Sequence, residues 1–476
     1  MKSTLFSILL MFTMTTGCLK TEPRREVNVD VETPQSWQAL ANYAKDDALV
    51  QDQWWRDFGD SNLTEVVEKA LLANRSLQEA QAHVRASSEV AKAAGANRYP
   101  QLGLNVNSGR QKQNFIGLPL GDQEVFSTTY PQHGMGLTAS WEADLWGRIS
   151  AQVGEASSEH QANLADLQAL RLSIAGQTAK TWLWALEAAQ QEALAEEMTA
   201  RFQREANQVQ NRYEKGLKSS LDVRLSQSNH ASTSALLQQR KQQRAGYARQ
   251  LRVLMGNYPH SQVFEEQNFP QIPATAPVGL PADLISRRPD MAAAEYRLIA
   301  RDYSLAAARR SLYPRLNLTA SAGSSSSHLS DLLKGDFSVW SLAGGLVQPL
   351  FQGGRLKAAV RGAEARVDAQ LHHFANKALV AYGEVEGTLE NEKWLRLQEA
   401  DLARAHAQSE AAAQRAEDSY YKGLADYVSV LVAQRQVLQA KSQLITVRAM
   451  LLVNRVDLYM ALGGGFQNPV HPQPRS

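Results

Sequence analysis

Residues 98–106 read RYPQLGLNV, and residues 312–320 read LYPRLNLTA. Each run sets a Tyr-Pro pair before a stretch in which apolar and polar residues alternate, the period of a half-buried strand. The likeness spreads outward from these two runs. Residues 145–148 (LWGR) match 350–355 (LFQGGR), 213–217 (YEKGL) match 421–424 (YKGL), and Met255-Gly256 matches Leu462-Gly463. The last three pairs stand about 207 positions apart and the first pair 214, so the extra residues of the first half lie between its two strand segments. One repeat of this length is the mark of a duplication, not of a solenoid. Between the halves, 264–281 (FEEQNFPQIPATAPVGLP) is a Pro-punctuated linker. The chain therefore divides into an N-terminal stretch to residue 61, a first repeat over 62–263, the linker, a second repeat over 282–466 and a flexible tail over 467–476.

Each repeat predicts the same order of elements. Segment 62–97 carries Leu63, Val66, Val67, Ala70, Leu77, Ala80 and Val84 at helical spacing, with Asp60 and Asn62 as candidate caps. Leu102, Leu104 and Val106 then alternate with Gln101, Gly103, Asn105 and Asn107. After a Gly/Pro-rich loop, Met135, Leu137, Ala139 and Trp141 alternate with Gly136, Thr138, Ser140 and Glu142. In the second half Leu316, Leu318, Ala320 and Ala322 repeat the pattern, while a fourth strand around 337–350 alternates poorly. No proline interrupts Arg148 to Lys215 or Leu356 to Lys422, which predicts two helices of roughly 100 Å. Val367, Leu371, Phe374, Ala378, Tyr382 and Val385 step by three and four, as a coiled-coil seam does, and so do Leu167, Leu170, Ile174, Trp182 and Leu186. Alanines 156, 162, 165, 169 and 175 allow close approach on a second face. Each long helix meets a glycine, Gly216 or Gly423, and a return helix of about half the length follows.

Composition excludes several classes. The 476 residues hold 50 Lys+Arg against 48 Asp+Glu, a balance unlike that of a nucleic-acid binder. Mean hydropathy is −0.37, and the one long apolar run is N-terminal, so a multi-span helical membrane protein is excluded but a β-barrel is not. A single cysteine rules out an intramolecular disulfide and a Cys-rich metal site. No H-E-x-x-H, G-x-S-x-G or G-x-x-x-x-G-K-[ST] pattern is present. His372-His373 sits mid-helix, where neighbours diverge by about 100° and do not readily share a metal. Ser324 to Ser327 and Gly463 to Gly465 read as loops, not phosphate cradles. No catalytic, cofactor or metal site is expected.

The N-terminus reads as an address. Lys2 precedes an apolar run, Leu5 to Met14, too short to span a bilayer, which ends in Thr15-Thr16-Gly17-Cys18. Small residues before a cysteine resemble the lipobox of bacterial lipoproteins, with Thr15 in place of the usual Leu. The resemblance implies a signal peptide over 1–17, acylation of Cys18 and, with Leu19 rather than Asp following it, sorting to the outer membrane of a Gram-negative cell. The other reading is an ordinary signal peptide with an incidental cysteine.

Four amphipathic strands cannot close a membrane barrel, whose smallest common form has about eight. An open sheet in lipid would leave two edges of unsatisfied backbone groups, at several kcal/mol per group. Several copies must therefore share one barrel, with the long helices extending from it as a tube.

In this order of elements the chain resembles the outer-membrane efflux proteins, the channel components of tripartite exporters. The carrying segments are Trp54-Trp55-Arg56-Asp57-Phe58-Gly59-Asp60, Arg287-Arg288-Pro289-Asp290 with Glu295-Tyr296-Arg297-Leu298, the two Tyr-Pro pairs, and Leu350-Phe351-Gln352-Gly353-Gly354-Arg355. The resemblance implies an α+β, internally duplicated fold: a trimeric outer-membrane β-barrel with four strands per chain, continued by a long periplasmic α-helical coiled-coil barrel. It also implies a homotrimer working with a periplasmic adaptor and an inner-membrane pump of the resistance-nodulation-division type, the pump served by the family's lipidated members. The function expected is passive export of drugs or other toxic small molecules. A type I protein-secretion exporter shares the fold. A non-channel periplasmic adaptor has one helical hairpin and lacks the strand pairs.

The candidate site residues lie at the two helix turns. Arg212, Gly216, Leu217 and Ser219 in the first, and Tyr421, Gly423 and Leu424 in the second, are expected to dock the adaptor, or else simply to close tight hairpins with Asp222 or Asp426 capping the return helices. The family's closing network implies a hydrogen bond between Tyr420 and Asp222. Its arginine two residues after the second glycine is Ala425 here, and an aspartate common nine residues after that glycine is Val432. Val428 and Val432 then either form an apolar constriction or face helix seams.

Overall fold

The computed structural model describes residues 36–39, 50–116, 125–262, 268–273 and 281–466. The signal peptide, Cys18, much of the linker and the tail lie outside them. In chain order the elements are α1 (Ser61–Ala73), α2 (Arg75–Ala96), β1 (Gln101–Ile116), β2 (Val125–Ala143), α3 (Arg148–Glu214), α4 (Ser220–Leu254), α5 (Pro281–Arg287), α6 (Pro289–Arg310), β3 (Arg315–Ser326), β4 (Ser338–Val347), α7 (Arg355–Tyr421) and α8 (Tyr427–Ala461). The order helix, helix, strand, strand, long helix, return helix occurs twice, with two helices before each strand pair where one was expected. Both long helices have 67 residues and both return helices 35.

The chain forms two compact units. The first holds residues 85–162 and 294–373, with all four strands. These form one antiparallel sheet in the order β1-β2-β3-β4, so one side of β1 and one side of β4 have no strand partner within the described residues. Register sorts the faces, because directly paired residues share a side. Leu104 pairs with Leu137, Leu137 with Ala322 and Ala322 with Trp340. Leu102, Val106, Trp141, Leu318 and Leu342 fall on that same side. Gly103, Thr138, Ser321 and Ser341 share the other, where the two serine hydroxyls hydrogen-bond at 2.8 Å. The poorly alternating fourth strand is thereby oriented: Trp340, 80% exposed in the single chain, Leu342 and Leu346 join the apolar face.

The loop expected between the first two strands is mostly strand. β2 begins at Val125, and β1 and β2 stay paired as far as Ile116 and Val125. Pro131 sits beyond His133, the last residue of β2 that β3 reaches, where the ribbon has an open side and tolerates a missing N–H. On the face that is apolar at Leu104, this extension turns polar with Ser108, Arg110 and Lys112. Ser324 to Ser326 close β3 and are not loop residues. At the other end of the sheet, Trp146 stacks on Tyr313 at 5.4 Å and donates its Nε1–H to the Pro314 carbonyl at 2.7 Å.

The second unit holds residues 30–84, 163–293 and 374–476. Its core gathers Trp54, Trp55 and Phe58 with Leu63, Trp182, Leu183, Leu251, Val456 and Tyr459. The WWRDFGD run is thereby explained as a knot. Trp54 stacks on Tyr459, whose hydroxyl donates to Asp57 at 2.9 Å. Gly59 turns at φ +65°, and Asp60 accepts from the N–H groups of Asn62 and Leu63 as the N-cap of α1. The helix expected over 62–97 breaks at Asn74, which accepts from Ser76 and Leu77 N–H and donates to the Leu254 carbonyl. Ala80 and Val84, beyond the break, are not buried. Of the seam residues, Phe374, Ala378, Tyr382 and Val385 are buried here and Val367 in the first unit, while Leu371 is half-buried. Arg288 forks onto Asp290 and also pairs with Glu384, and Arg455 Nη2 donates to both carboxylate oxygens of Glu392 at 2.7 and 2.9 Å. Trp37 packs on Tyr382, and the N–H groups of Gln38 and Ala39 donate to Glu386.

Candidate functional site

The candidate residues lie in the second unit, at the turns joining α3 to α4 and α7 to α8. Both turns use the same backbone device. Gly216 (φ +73°) and Gly423 (φ +77°) take the left-handed conformation that glycine adopts freely. Leu217 N–H donates to the Arg212 carbonyl at 2.9 Å, and Leu424 N–H to the Ser419 carbonyl at 2.8 Å. These bonds satisfy the carbonyls that a helix end would otherwise leave open. Ser219 caps α4 by accepting from Asp222 N–H, and Asp426 caps α8 by accepting from Ser429 N–H. Asp222 is therefore not a cap. It lies inside the first turn of α4, where a carboxylate faces the positive helix end. Leu217 and Leu424 project from the turns, 68% and 79% exposed.

The Tyr420–Asp222 hydrogen bond is not made. Tyr420 is 2% exposed and its hydroxyl has no hydrogen-bond partner among the described residues. Asp222 reaches it only as a nearby charge: burial first, then that carboxylate, pushes the Tyr420 hydroxyl up to about 12. The ring is engaged instead. It packs against Tyr427 at 5.3 Å and Tyr421 at 5.7 Å, and Lys218 Nζ stands 3.6 Å from its centroid. Arg212 lies 4.8 Å over the Tyr421 ring, and the Tyr421 hydroxyl donates to Gln208 at 2.8 Å.

Further from the turns the helices share a buried polar cluster. Gln434 Nε2 donates to Glu205 at 3.0 Å and to Glu417 at 2.9 Å, and Arg201 pairs with Glu417. Burial raises the pKa of Glu205, opposed by the hydrogen bonds from Gln434 and Tyr427. Val428 and Val432, with Ser409, Ala412 and Gln436, line an open groove between α7 and α8. Val432 is 62% exposed, so within one chain neither valine is sealed in a seam. Lys218, Gln208 and the Glu205–Gln434 pair escape sequence reading because their partners lie more than two hundred residues away. The described residues hold no group of carboxylates, histidines or cysteines able to bind a metal.

The profile of the outer membrane efflux protein family matches residues 66–257 and 280–464, both halves of the duplication. The chain belongs to that family. It is a component of outer-membrane efflux, located in the outer membrane, and the family's channels are not enzymes. It is 30% identical over 446 residues to the pyoverdine export outer membrane protein OpmQ of Pseudomonas putida, covering 92% of this chain and 93% of that one. It is 29% identical over 422 residues to the toluene efflux pump outer membrane protein TtgI of the same species, 86% of each. Among solved structures, the outer-membrane channel OprN superposes with a TM-score of 0.82 at 27% identity, covering 92% of this chain and 98% of that chain. The efflux family's motifs now have physical roles: WWRDFGD ties the α1 cap to the core, and RRPD places Arg288 on Asp290 and Glu384.

Proposed function

We propose that three copies of this chain share one β-barrel in the outer membrane, and that their paired helical hairpins form a periplasmic tube which passes small molecules outward. The carrying observation is the sheet. It has an apolar face and two open edges, a combination that lipid tolerates only when the edges are closed by further copies. On β2 the apolar side runs from Met135 to Ala143, which at about 3.4 Å per residue is roughly 27 Å along the strand, or about 20 Å of height at the usual barrel tilt, most of the lipid-facing band of known barrels. Two hairpins and four strands per chain argue against a periplasmic adaptor. The exposed Leu217 and Leu424 at the turns suit docking of an adaptor that links the tube to an inner-membrane pump, which must supply the energy. Acylation at Cys18 would add a lipid anchor to the barrel's own hold on the membrane.

The efflux relatives described above are named for export of pyoverdine and efflux of toluene, which supports small molecules over proteins as cargo. Deleting the gene in its host tests this. Accumulation of a fluorescent dye should rise, and the intact chain should restore efflux while Leu217→Asp with Leu424→Asp should not. Unchanged dye accumulation with loss of a secreted protein would favour the protein-secretion alternative. Mass spectrometry of the mature N-terminus tests the anchor, and an unmodified Cys18 would remove it.

A further inference from the structure

The apolar side of the sheet does not end where its apolar residues end. Past Val106 and Met135, β1 and β2 continue as a two-stranded ribbon, and the same side carries the pairs Ser108–His133, Arg110–Pro131 and Lys112–Thr129. Ser108 Oγ and His133 Nδ1 are 2.8 Å apart, so the first step beyond the apolar residues is a hydrogen-bonded polar pair. The next two steps are exposed cations with no ion-pair partner among the described residues. The other side of the ribbon holds Gly109, Gln111, Gln113, Thr128, Tyr130 and Gln132, none of them charged. Positive charge is thus confined to the side continuous with Leu102, Leu104 and Val106. Cations serving a solute in the lumen would stand on the opposite side.

Height decides what these cations meet. Arg110 and Lys112 lie four and six residues beyond Val106. That is about 14 and 20 Å along the strand, or about 10 and 15 Å of height at the usual barrel tilt. A lipid-facing band of about 25 Å, placed on the apolar side, ends a few ångströms past Val106, and a headgroup layer of roughly 5–8 Å follows. Long cationic side chains lean back to reach that layer. The helices join this strand pair at Gln101 and Ala143, so the ribbon is the end away from them, toward the outer leaflet.

We propose that Arg110 and Lys112 form a binding site for the phosphate groups of the outer-leaflet glycolipid, repeated on each copy around the barrel. The site rests on the reading of the sheet as part of a shared barrel in the outer membrane. Its ligand is a lipid phosphorylated on its sugar headgroup. The Arg110 guanidinium suits a forked hydrogen bond to two phosphate oxygens, and the Lys112 ammonium adds a point charge one step higher.

Native mass spectrometry of the full-length protein in mild non-ionic detergent, titrated with bisphosphorylated lipid A, counts the bound glycolipid. Wild type should hold lipid A more tightly than monophosphorylated lipid A or phosphatidylglycerol. Arg110→Gln with Lys112→Gln should weaken lipid A binding, by roughly fivefold for each cation removed. Arg110→Lys with Lys112→Arg should retain it. Gln111→Arg, added to the double glutamine variant, returns a cation to the ribbon on its other side and should not restore binding. Lipid A binding that is unchanged in the double glutamine variant, or restored by Gln111→Arg, would overturn the site and leave the barrel standing. So would phosphatidylglycerol binding as tight as that of lipid A. Displacement of lipid A by an equal concentration of inorganic phosphate would also overturn it, since a free anion would then suffice. A single-chain species for wild type and every variant would overturn the shared barrel, and the site with it.

Discussion

At the residue scale, two buried charges give opposite predictions. Arg455 and Glu392 are each 2% exposed and pair through two hydrogen bonds, with Arg455 also donating to the Pro273 carbonyl. Removing one partner strands the other in a medium that cannot solvate it. Glu392→Ala should therefore cost about 3–5 kcal/mol, read as a lower denaturation midpoint of the solubilised protein. Glu205 behaves otherwise. Its folded-state pKa lies above its unfolded value because burial disfavours the carboxylate. The folded state then binds the proton more tightly, so the site's contribution is complete below the ordinary carboxylate range and is lost as pH rises through the raised value. Glu205→Gln should raise the melting temperature at neutral and alkaline pH, and the gain should fade on acidification. A gain independent of pH would show that Glu205 is not the titrating group. At this scale the sequence was a partial guide. It drew attention to Tyr420 and Asp222, but it could not say that the ring faces Lys218, because that contact depends on how the two hairpins pack.

At the element scale, the helices were the most legible feature. An unbroken proline-free run with seam residues at three- and four-residue steps leaves little freedom, and both 67-residue helices end at the predicted glycines. The break at Asn74 was less visible, because an asparagine inside an Ala-rich helical pattern looks tolerable until its side chain is seen bonding to the next turn. The facing of β4 was hidden because Gly344 and Gly345 interrupt its alternation, and only pairing with β3 resolves it. Two predictions belong here. Nothing lies within 4 Å of a Cβ added at Gly216 or Gly423, so alanine at either meets only the left-handed backbone, at about 1–2 kcal/mol each. Denaturation of each single variant checks this, and an unchanged midpoint would show that the turn relaxes. On β2, Leu137→Arg on the apolar face should cost about 2–4 kcal/mol and reduce membrane assembly, while Thr138→Arg on the polar face should assemble normally. Heat-modifiable mobility of the outer-membrane fraction distinguishes the two, and equal assembly would mean that the faces are wrongly assigned.

At the scale of the whole molecule, the argument is one of completion. One chain supplies four strands whose outer edges have no partner within the described residues, and an exposed face lined by Leu102, Leu104, Leu137, Trp340 and Leu342. A surface of that size and hydrophobicity is not stable in water, and open edges are not stable in lipid. The duplication was legible from paired motifs because both copies kept their turns and their Tyr-Pro pairs. The number of copies was not, since edge counting demands partners without fixing how many. Native mass spectrometry of the protein extracted in mild detergent tests this most directly. A single species with the mass of three chains is predicted. A monodisperse species with the mass of one chain and full strand content would contradict the account.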